Sequence, residues 1–388
     1  MILAHEFSRI LSYRVMVPMR IERVTIHQYN IPLEEPFVTA LNPIPELERV
    51  LVEVETDVGI TGLGEAAPAY EVTGETQRST AAVIEDILAP LVLDTNPLDI
   101  ERIVGDMEAL VDGSRTAHAG IELALQDIRG KAAEMPLYRL LGGNATESVI
   151  NVPKVLSIKD PGEMAEDAVD AVEAGYKQIK IKVGDKPETD VKRVEKIATA
   201  VPESVSLKAD ANQGWGDAKT ALRALQGISD YLDVIEQPVA KENVEDLVTL
   251  RNRVDIPVMP DESVKTASDC LDLVNRGAGD IYNIKLMKTG GIGEAIRLNT
   301  VAEADNRPTQ LGSMVEGGVG TAAGVHFCLA FENVIWNEMV GPFMTTANVT
   351  DLDFTVPEIS VEGPGLGIEI DRDKLDELRT DCTVIGRQ

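Results

Sequence analysis

The sequence predicts an α/β protein, a modified (β/α)8-type TIM barrel that follows an α+β N-terminal domain. Three observations support this prediction. Residues 21–146 read as a run of strands and then a run of helices, which is typical of an α+β unit. Short apolar strands alternate with helices through 147–350, as in a parallel sheet. Polar residues end these strands at a nearly constant spacing.

The N-terminal domain is predicted first from alternation of apolar and polar residues. Residues 23–31 and 49–57 alternate in this way, which indicates half-buried strands. Helices are predicted over 78–92, over 98–110 with Asn96 as N-cap and Pro97 at the first helical position, and as an amphipathic helix over 115–134. Residues 1–20 read as an N-terminal extension without the features of a signal peptide.

The barrel is predicted from the spacing of its strands. The residues at five successive strand ends lie 28, 26, 25 and 24 positions apart, and they are Lys182, Asp210, Glu236, Asp261 and Lys285. Strands near 155, 311 and 336 bring the number of units to eight, as in a TIM barrel. An open doubly wound sheet is disfavoured because no GxGxxG follows a strand. Residues 351–388 are predicted to pack back on the N-terminal domain.

Composition limits the classes of partner and the compartment. The net charge of −29 opposes binding to nucleic acid or anionic membranes. No apolar run is long enough for a transmembrane helix. Cys270, Cys328 and Cys382 form no CxxC pair, which fits a reducing cytoplasm. No lysine precedes Lys131, and an acidic, lysine-poor surface is typical of halophilic proteins.

The charged residues at the strand ends predict a metal site. Strand ends of a barrel face one mouth, so Asp210, Glu236 and Asp261 should meet there. A single Asp at such a place is better explained as a loop or helix cap, whereas three carboxylates on consecutive strands form an all-oxygen site. Such a site suits Mg²⁺, with Mn²⁺ as the alternative.

Lysines flank this predicted metal site. Lys180 and Lys182 share one face of their strand, and Lys285 lies across the mouth. A divalent cation and a second lysine nearby would lower the pKa of a lysine, which would make it a usable general base.

These motifs together resemble the muconate-lactonizing branch of the enolase superfamily. The resemblance covers the chain from about residue 21 and rests on Lys180–Gly184, Asp210–Asn212, Glu236–Pro238, Asp261–Ser263, Asn283–Lys288 and Gly290–Gly291. It implies an enolase-like enzyme whose N-terminal domain caps the barrel, with Asn212 and Glu262 beside the metal ligands. It further implies a small-molecule carboxylate substrate whose α-proton a lysine removes to give an enediolate held by Mg²⁺. Barrels of this kind often form homo-oligomers.

Two regions favour different reactions. Pro36–Leu41 and Thr73–Thr76 resemble dipeptide epimerases, but the last strand carries one acid, Glu338, where those enzymes have Asp-x-Asp. Glu338–Pro342 resembles the last strand of muconate cycloisomerases. The resemblance places Thr39, Met314 and Glu338 at the substrate. The prediction is a cycloisomerase-like isomerase, the alternative is a dipeptide or N-acyl amino acid racemase or epimerase, and a dehydratase of the o-succinylbenzoate synthase kind and a non-catalytic binding protein come after these.

Overall fold

The computed structural model describes residues 19–41, 43–144 and 148–387. The N-terminal extension predicted for 1–20 therefore lies, except for Met19 and Arg20, outside the described residues, as does the predicted domain boundary at 146–147. The N-terminal domain contains an antiparallel sheet of four strands. In spatial order these are β15 (Arg379–Gly386), β1 (Ile21–Val38), β2 (Pro43–Thr56) and β3 (Thr61–Ala66).

The helices of this domain follow β3 along the chain. They are α1 (Gln77–Val83), a π-helical turn (Ile84–Leu88), α2 (Ala89–Val92), α3 (Ile100–Leu110), α4 (Arg115–Ala132) and α5 (Leu137–Leu140). Helix α1 begins after Thr76, which forms a capping box with Ser79. The predicted start of α3 is wrong, because the Asn96 side chain instead accepts a hydrogen bond from the backbone N–H of Leu98 at 3.1 Å. This local turn delays the helix until Ile100.

Helix α4 lies between the sheet and the barrel. The sequence predicts an amphipathic helix here, whereas its residues are buried on nearly every face. Gly62 and Gly64 of β3 allow this close packing, since a Cβ atom on either would collide with the backbone of α4. The N-terminal domain and the barrel therefore share α4 as a common core element.

Eight parallel strands form the barrel and confirm the predicted fold class. They are β5 (Lys154–Leu156), β6 (Gln178–Lys182), β7 (Ser206–Asp210), β8 (Val234–Glu236), β9 (Val258–Met259), β10 (Tyr282–Ile284), β11 (Thr309–Leu311) and β12 (Val334–Asn337). Strands β5 to β9 and β10 to β12 each form a continuous sheet. Backbone hydrogen bonds from Asp280 to Val258 (2.9 Å) and from Asn283 to Pro260 (3.0 Å) connect the two sheets.

The first predicted barrel strand, near residue 155, is divided in two. Its first part is β4 (Val149–Asn151), which pairs antiparallel with β14 (Glu358–Ser360) next to β13 (Asp353–Thr355). Pro153 follows two residues after the end of β4 and has no N–H to continue a ladder. The barrel strand proper is the short β5.

Helices follow the barrel strands on the outside. They are α6 (Pro161–Glu173), α7 (Pro187–Ala200), α8 (Ala218–Ile228), α9 (Val244–Arg251), α10 (Ala267–Arg276), α11 (Leu286–Thr289), α12 (Ile292–Ala304) and α13 (Gly318–Ala330). Asp160 caps α6 by accepting from the N–H of Gly162 at 2.7 Å. After the barrel, α14 (Arg372–Leu378) leads into β15, which pairs with β1.

Candidate active site

Lys180 of β6 lies at the centre of a buried cluster of acids. Its Nζ atom is 3.0 Å from Asp210, 2.8 Å from Glu236 and 2.7 Å from Glu338. Burial alone would lower the pKa of Lys180, but these three carboxylates together raise it well above the usual value. Lys180 therefore stays an ammonium that bridges two predicted metal ligands.

Lys182 is two residues further along the same strand. Its Nζ donates to Asp210 at 2.6 Å and to the amide oxygen of Asn212 at 2.9 Å. The ring of Phe37, from the capping domain, lies 5.8 Å from this Nζ atom. The structure thus brings Lys182, a predicted metal ligand and the capping domain together at the mouth of the barrel.

Lys285 lies on the other side of the mouth, directly after β10. Its Nζ is 2.8 Å from Asp261, and Lys288 contacts the second oxygen of the same carboxylate. Burial alone would lower the pKa of Lys285. The negative charges of Asp261 and Glu236 raise it by more, so the pKa lies above its usual value. For Lys285, the lowered pKa predicted from the sequence is therefore not produced by the protein's own side chains.

Burial and repulsion from neighbouring carboxylates raise the pKa of two of the carboxyl groups. Burial and the charge of Asp210 raise the pKa of Glu236 to about 8. Burial and the charge of Asp261 raise the pKa of Glu262 to about 7. Carboxyl groups this close to one another require cations to remain ionised, so the lysines and any bound metal act on the same charges.

The cluster fits a divalent cation by its donor chemistry. Within the described residues, no three acidic, histidine or cysteine side chains converge closely enough to hold a metal, and lysine ammonium groups contact the acids instead. The donors are nevertheless all oxygen, as Mg²⁺ prefers. Among the described residues, Oε2 of Glu262 and Oδ1 of Asn283 have no hydrogen-bond donor, and Oδ2 of Asp261 has only its ion pair with Lys285. Asn212 holds the other Glu262 oxygen at 3.2 Å.

Glu338, directly after β12, is bound by other side chains of the protein. Besides its contact with Lys180, it accepts a hydrogen bond from Gln310 at 3.1 Å and lies 3.6 Å from the Nζ of Lys208. Lys208 also lies 5.2 Å from the centre of the Trp336 ring. Both oxygens of Glu338 thus already contact side chains inside the barrel.

Sequence reasoning assigned no role in the site to four buried polar residues of this cluster: Lys208, Asn283, Lys288 and Gln310. Lys208 precedes Asp210 by two positions, so strand alternation places both on the same face and could have revealed it. Asn283 donates to Glu236 at 2.8 Å, an interaction between strands that no local pattern announces.

The other predicted substrate residues lie where the capping domain meets the mouth. Thr39 follows β1, and its hydroxyl accepts from the N–H of Leu41 at 3.2 Å. Met314 lines a cavity of about 210 Å³ together with segments 43–49 and 68–71 of the capping domain. The Met314 carbonyl is held at 2.8 Å by Arg49 of β2.

Asp190 organises the turn that follows Lys182. Its Oδ2 atom accepts from the backbone N–H groups of Gly184 (3.0 Å) and Asp185 (2.9 Å) and from the indole of Trp215 (2.9 Å). Trp215 is buried and thereby ties the turn after β7 to the turn after β6. Trp215 is thus explained by the packing of two turns at the mouth of the barrel.

Comparison with known proteins places this arrangement in a class. The Enolase C-terminal domain-like pattern matches residues 163–374, and the Mandelate racemase / muconate lactonizing enzyme N-terminal domain matches residues 21–142. A capping domain over a barrel mouth lined with acids and lysines is thus the two-domain architecture of the enolase superfamily. The chain belongs to the mandelate racemase / muconate lactonizing enzyme family of that superfamily, in its muconate-lactonizing subgroup.

Three relatives illustrate the range of reactions nearby. N-succinyl-L-Arg/Lys racemase of Bacillus cereus is 37% identical over 93% of this chain and 98% of its own length, and its structure matches with a TM-score of 0.92. The Enterococcus faecalis dipeptide epimerase, solved with Mg and L-Leu-L-Tyr, matches with a TM-score of 0.87 at 34% identity, over 90% of this chain and 99% of the other. Muconate cycloisomerase 1 of Rhodococcus opacus is 31% identical over 92% and 98%.

These relatives are isomerases, and this chain is an isomerase of the enolase superfamily. Both the cycloisomerase prediction and its racemase or epimerase alternative are represented among them. In the part of the chain that the structure describes, no helix is both long and apolar enough to traverse a bilayer.

Proposed function

We propose that this isomerase racemises or epimerises an N-acylated amino acid by moving a proton between the two faces of its α-carbon. The observation that carries the proposal is the placement of Lys182 and Lys285. Lys182 ends β6 and Lys285 follows β10, four strands further in a ring of eight, so they approach the mouth from opposite sides. Racemisation requires one group to remove a proton and another, on the opposite face, to return one.

The neighbours of each lysine determine its role in the reaction. Lys182, oriented by Asp210 and Asn212, exchanges the α-proton on one face. Lys285, oriented by Asp261, exchanges it on the other. Lys180 is held as an ammonium by three carboxylates and serves to balance their charge instead of taking the proton.

A divalent cation would complete this site. Asp210, Glu236 and Asp261 would hold Mg²⁺, whose positive charge beside the substrate carboxylate would lower the free energy of removing the α-proton. Phe37 of the capping domain lies beside Lys182, and Lys182 and Lys285 are only 7% and 6% exposed, so water has little access to either ammonium group. Exclusion of water strengthens each of these charge interactions.

The state of Glu338 supports an N-acylated substrate over a free dipeptide. A dipeptide carries an ammonium group that needs an acidic partner in the site. Glu338 is the acid of the last strand, and Lys180, Lys208 and Gln310 already engage both its oxygens. An N-acyl amino acid has no ammonium group, and the Bacillus cereus relative is named for such a substrate.

Cycloisomerisation of muconate is the second candidate. Glu338-Met339-Val340-Gly341-Pro342 favours it, because the last strands of muconate cycloisomerases have this pattern. That reaction needs one proton-transfer group on one face, so it leaves Lys182 and Lys285 with unequal tasks. The two candidates therefore differ in a measurable way.

Proton NMR in D₂O with Mg²⁺ distinguishes them. The panel contains single enantiomers of N-acyl amino acids, dipeptides and cis,cis-muconate. The proposal predicts loss of the α-proton signal and formation of the opposite enantiomer with N-acyl amino acids. Lactone formation from muconate without α-proton exchange in the other substrates would replace it with cycloisomerisation.

We further propose that the protein works as a homo-oligomer in a salt-rich cytoplasm and accepts Mn²⁺ in place of Mg²⁺. The net charge of −29 supports the salt preference, because dissolved ions screen self-repulsion at such a surface. Light scattering of the purified protein at high KCl tests the assembly, and activity with MnCl₂ tests the metal preference.

A further inference from the structure

Glu122 lies on α4 of the capping domain, but its carboxylate contacts the barrel. Oε2 accepts from the backbone N–H of Ile292 at 2.9 Å, and Oε1 accepts from that of Gly293 at 3.2 Å. These are the first two N–H groups of α12, which have no partner within their own helix. Gln126 donates to Oε1 at 2.7 Å and fixes the orientation of the carboxylate. Glu122 is 1% exposed, so water does not compete for these bonds.

The segment that Glu122 holds begins at Lys285. Helix α11 is one turn long, and the backbone N–H of Thr289 donates to the carbonyl of Lys285 at 3.0 Å. The Thr289 hydroxyl donates to the carbonyl of Gly291 at 2.7 Å. Gly290 and Gly291 have φ values of +84° and +128°, and a Cβ atom on Gly291 would collide with the Glu122 carboxylate. The chain from Lys285 to α12 therefore has little freedom to move independently.

A second contact from α4 reaches the same segment. Arg115 donates to the carbonyl of Thr289 at 3.3 Å. Lys182 depends on different neighbours, because Asp210 and Asn212 that orient it belong to the barrel. Hydrogen bonds from α4 thus hold the segment that follows Lys285, whereas both hydrogen-bond partners of the Lys182 ammonium belong to the barrel.

We propose that Glu122 is a positioning residue for Lys285, through which the capping domain sets the geometry of proton transfer on one face of the substrate. This inference rests on the proposed two-lysine function. It predicts an asymmetric defect, since loss of the Glu122 bonds displaces Lys285 and leaves Lys182 in place. A displacement of a reacting group by about 1 Å can lower a rate by about a hundredfold.

The test uses the variant Glu122→Gln, which keeps the size of the side chain but replaces one acceptor oxygen with a donor. Solvent deuterium exchange at the α-carbon is measured separately for each enantiomer of an N-acyl amino acid with Mg²⁺. Lys285→Ala identifies the enantiomer whose proton Lys285 serves. For that enantiomer we expect Glu122→Gln to slow exchange about tenfold or more, with exchange of the other enantiomer within about threefold of the wild type.

Asp127→Asn is the matched control. Asp127 lies on the same helix, is equally buried, and accepts two backbone hydrogen bonds, from Leu63 at 2.9 Å and Leu366 at 2.8 Å, neither of them in the Lys285 segment. General loosening of α4 would affect both enantiomers in both variants alike, and that result would overturn the positioning role. Should the Glu122→Gln chain not fold, Glu122→Asp, which withdraws the carboxylate and keeps its charge, makes the same comparison. Absence of exchange on both faces in the wild type would instead refute the proposed function, and this inference with it.

Discussion

Glu53 of β2 connects the N-terminal domain to the C-terminal segment, and we predict that this connection depends on its charge. Arg372 of α14 forms two hydrogen bonds of 2.6 Å to the two Glu53 oxygens, and His27 of β1 lies 2.8 Å from one of them. Burial alone would raise the pKa of Glu53. The hydrogen bonds from Arg372 and His27 lower it by more, so the pKa falls from 4.5 to about 2. Glu53→Gln removes the charge and keeps the shape of the side chain.

The size of the effect follows from the pKa. A carboxyl group with a pKa of about 2 in the folded state and 4.5 otherwise contributes up to about 3 kcal/mol of stability at neutral pH. Arg372 is 59% exposed, so solvent screening reduces the expected loss in Glu53→Gln to about 2 kcal/mol. The lowered pKa means that this contribution is complete above about pH 4.5 and disappears as the pH falls toward 2. By about pH 3.5 the difference between wild type and variant should shrink by about 1 kcal/mol.

Urea unfolding at a series of pH values measures this difference. Glu55→Gln serves as the control, because Glu55 lies on the same strand but pairs with Arg23 at a site where both side chains are 37% exposed. It should change the free energy of unfolding by less than about 1 kcal/mol. A Glu53→Gln effect that is no larger than the control, or one that stays constant between neutral pH and about pH 3.5, would refute the reasoning.

Three further predictions address the metal, the Lys285 segment and the surface charge. Asp210→Asn should weaken Mg²⁺ binding about tenfold or more in calorimetric titration of EDTA-treated protein, and unchanged affinity would exclude Asp210 as a ligand. Gly291→Ala should lower the free energy of unfolding in urea by about 2 kcal/mol or more, because Gly291 has a φ of +128° and lies against Glu122. The control Gly105→Ala, on α3 where a Cβ atom meets no neighbour, should raise it by about 0.5–1 kcal/mol. Equal effects of the two substitutions would contradict this prediction. The melting temperature should rise between about 0.1 and 2 M KCl, and a fall would remove the case for salt adaptation.

The barrel could be predicted from sequence because its pattern is local and repeated. Five strand ends at a spacing of 24 to 28 residues mark parallel units without any knowledge of the fold. The division of the first strand at Pro153 was missed, since Val149–Asn151 finds its partner in a hairpin more than 200 residues later. Such a pairing depends on tertiary contacts that no local window contains.

The candidate site shows the same limit. Strand alternation brings Lys180, Lys182 and Asp210 to one face, and the structure places them in contact. The use of Glu338 inside the barrel could not be read from its strand, because Gln310 and Lys208 reach it from other strands. The support that α4 gives to the Lys285 segment is likewise invisible in the sequence of either element.

Exchange of the α-proton in Lys182→Ala and Lys285→Ala shows whether the two lysines serve opposite faces of one α-carbon. Each variant is incubated in D₂O with Mg²⁺ and with either enantiomer of an N-acyl amino acid that the wild type racemises. We expect no racemisation in either variant, with exchange retained for one enantiomer in Lys182→Ala and for the other in Lys285→Ala. Loss of exchange for the same enantiomer in both variants, or racemisation by either, would contradict the account.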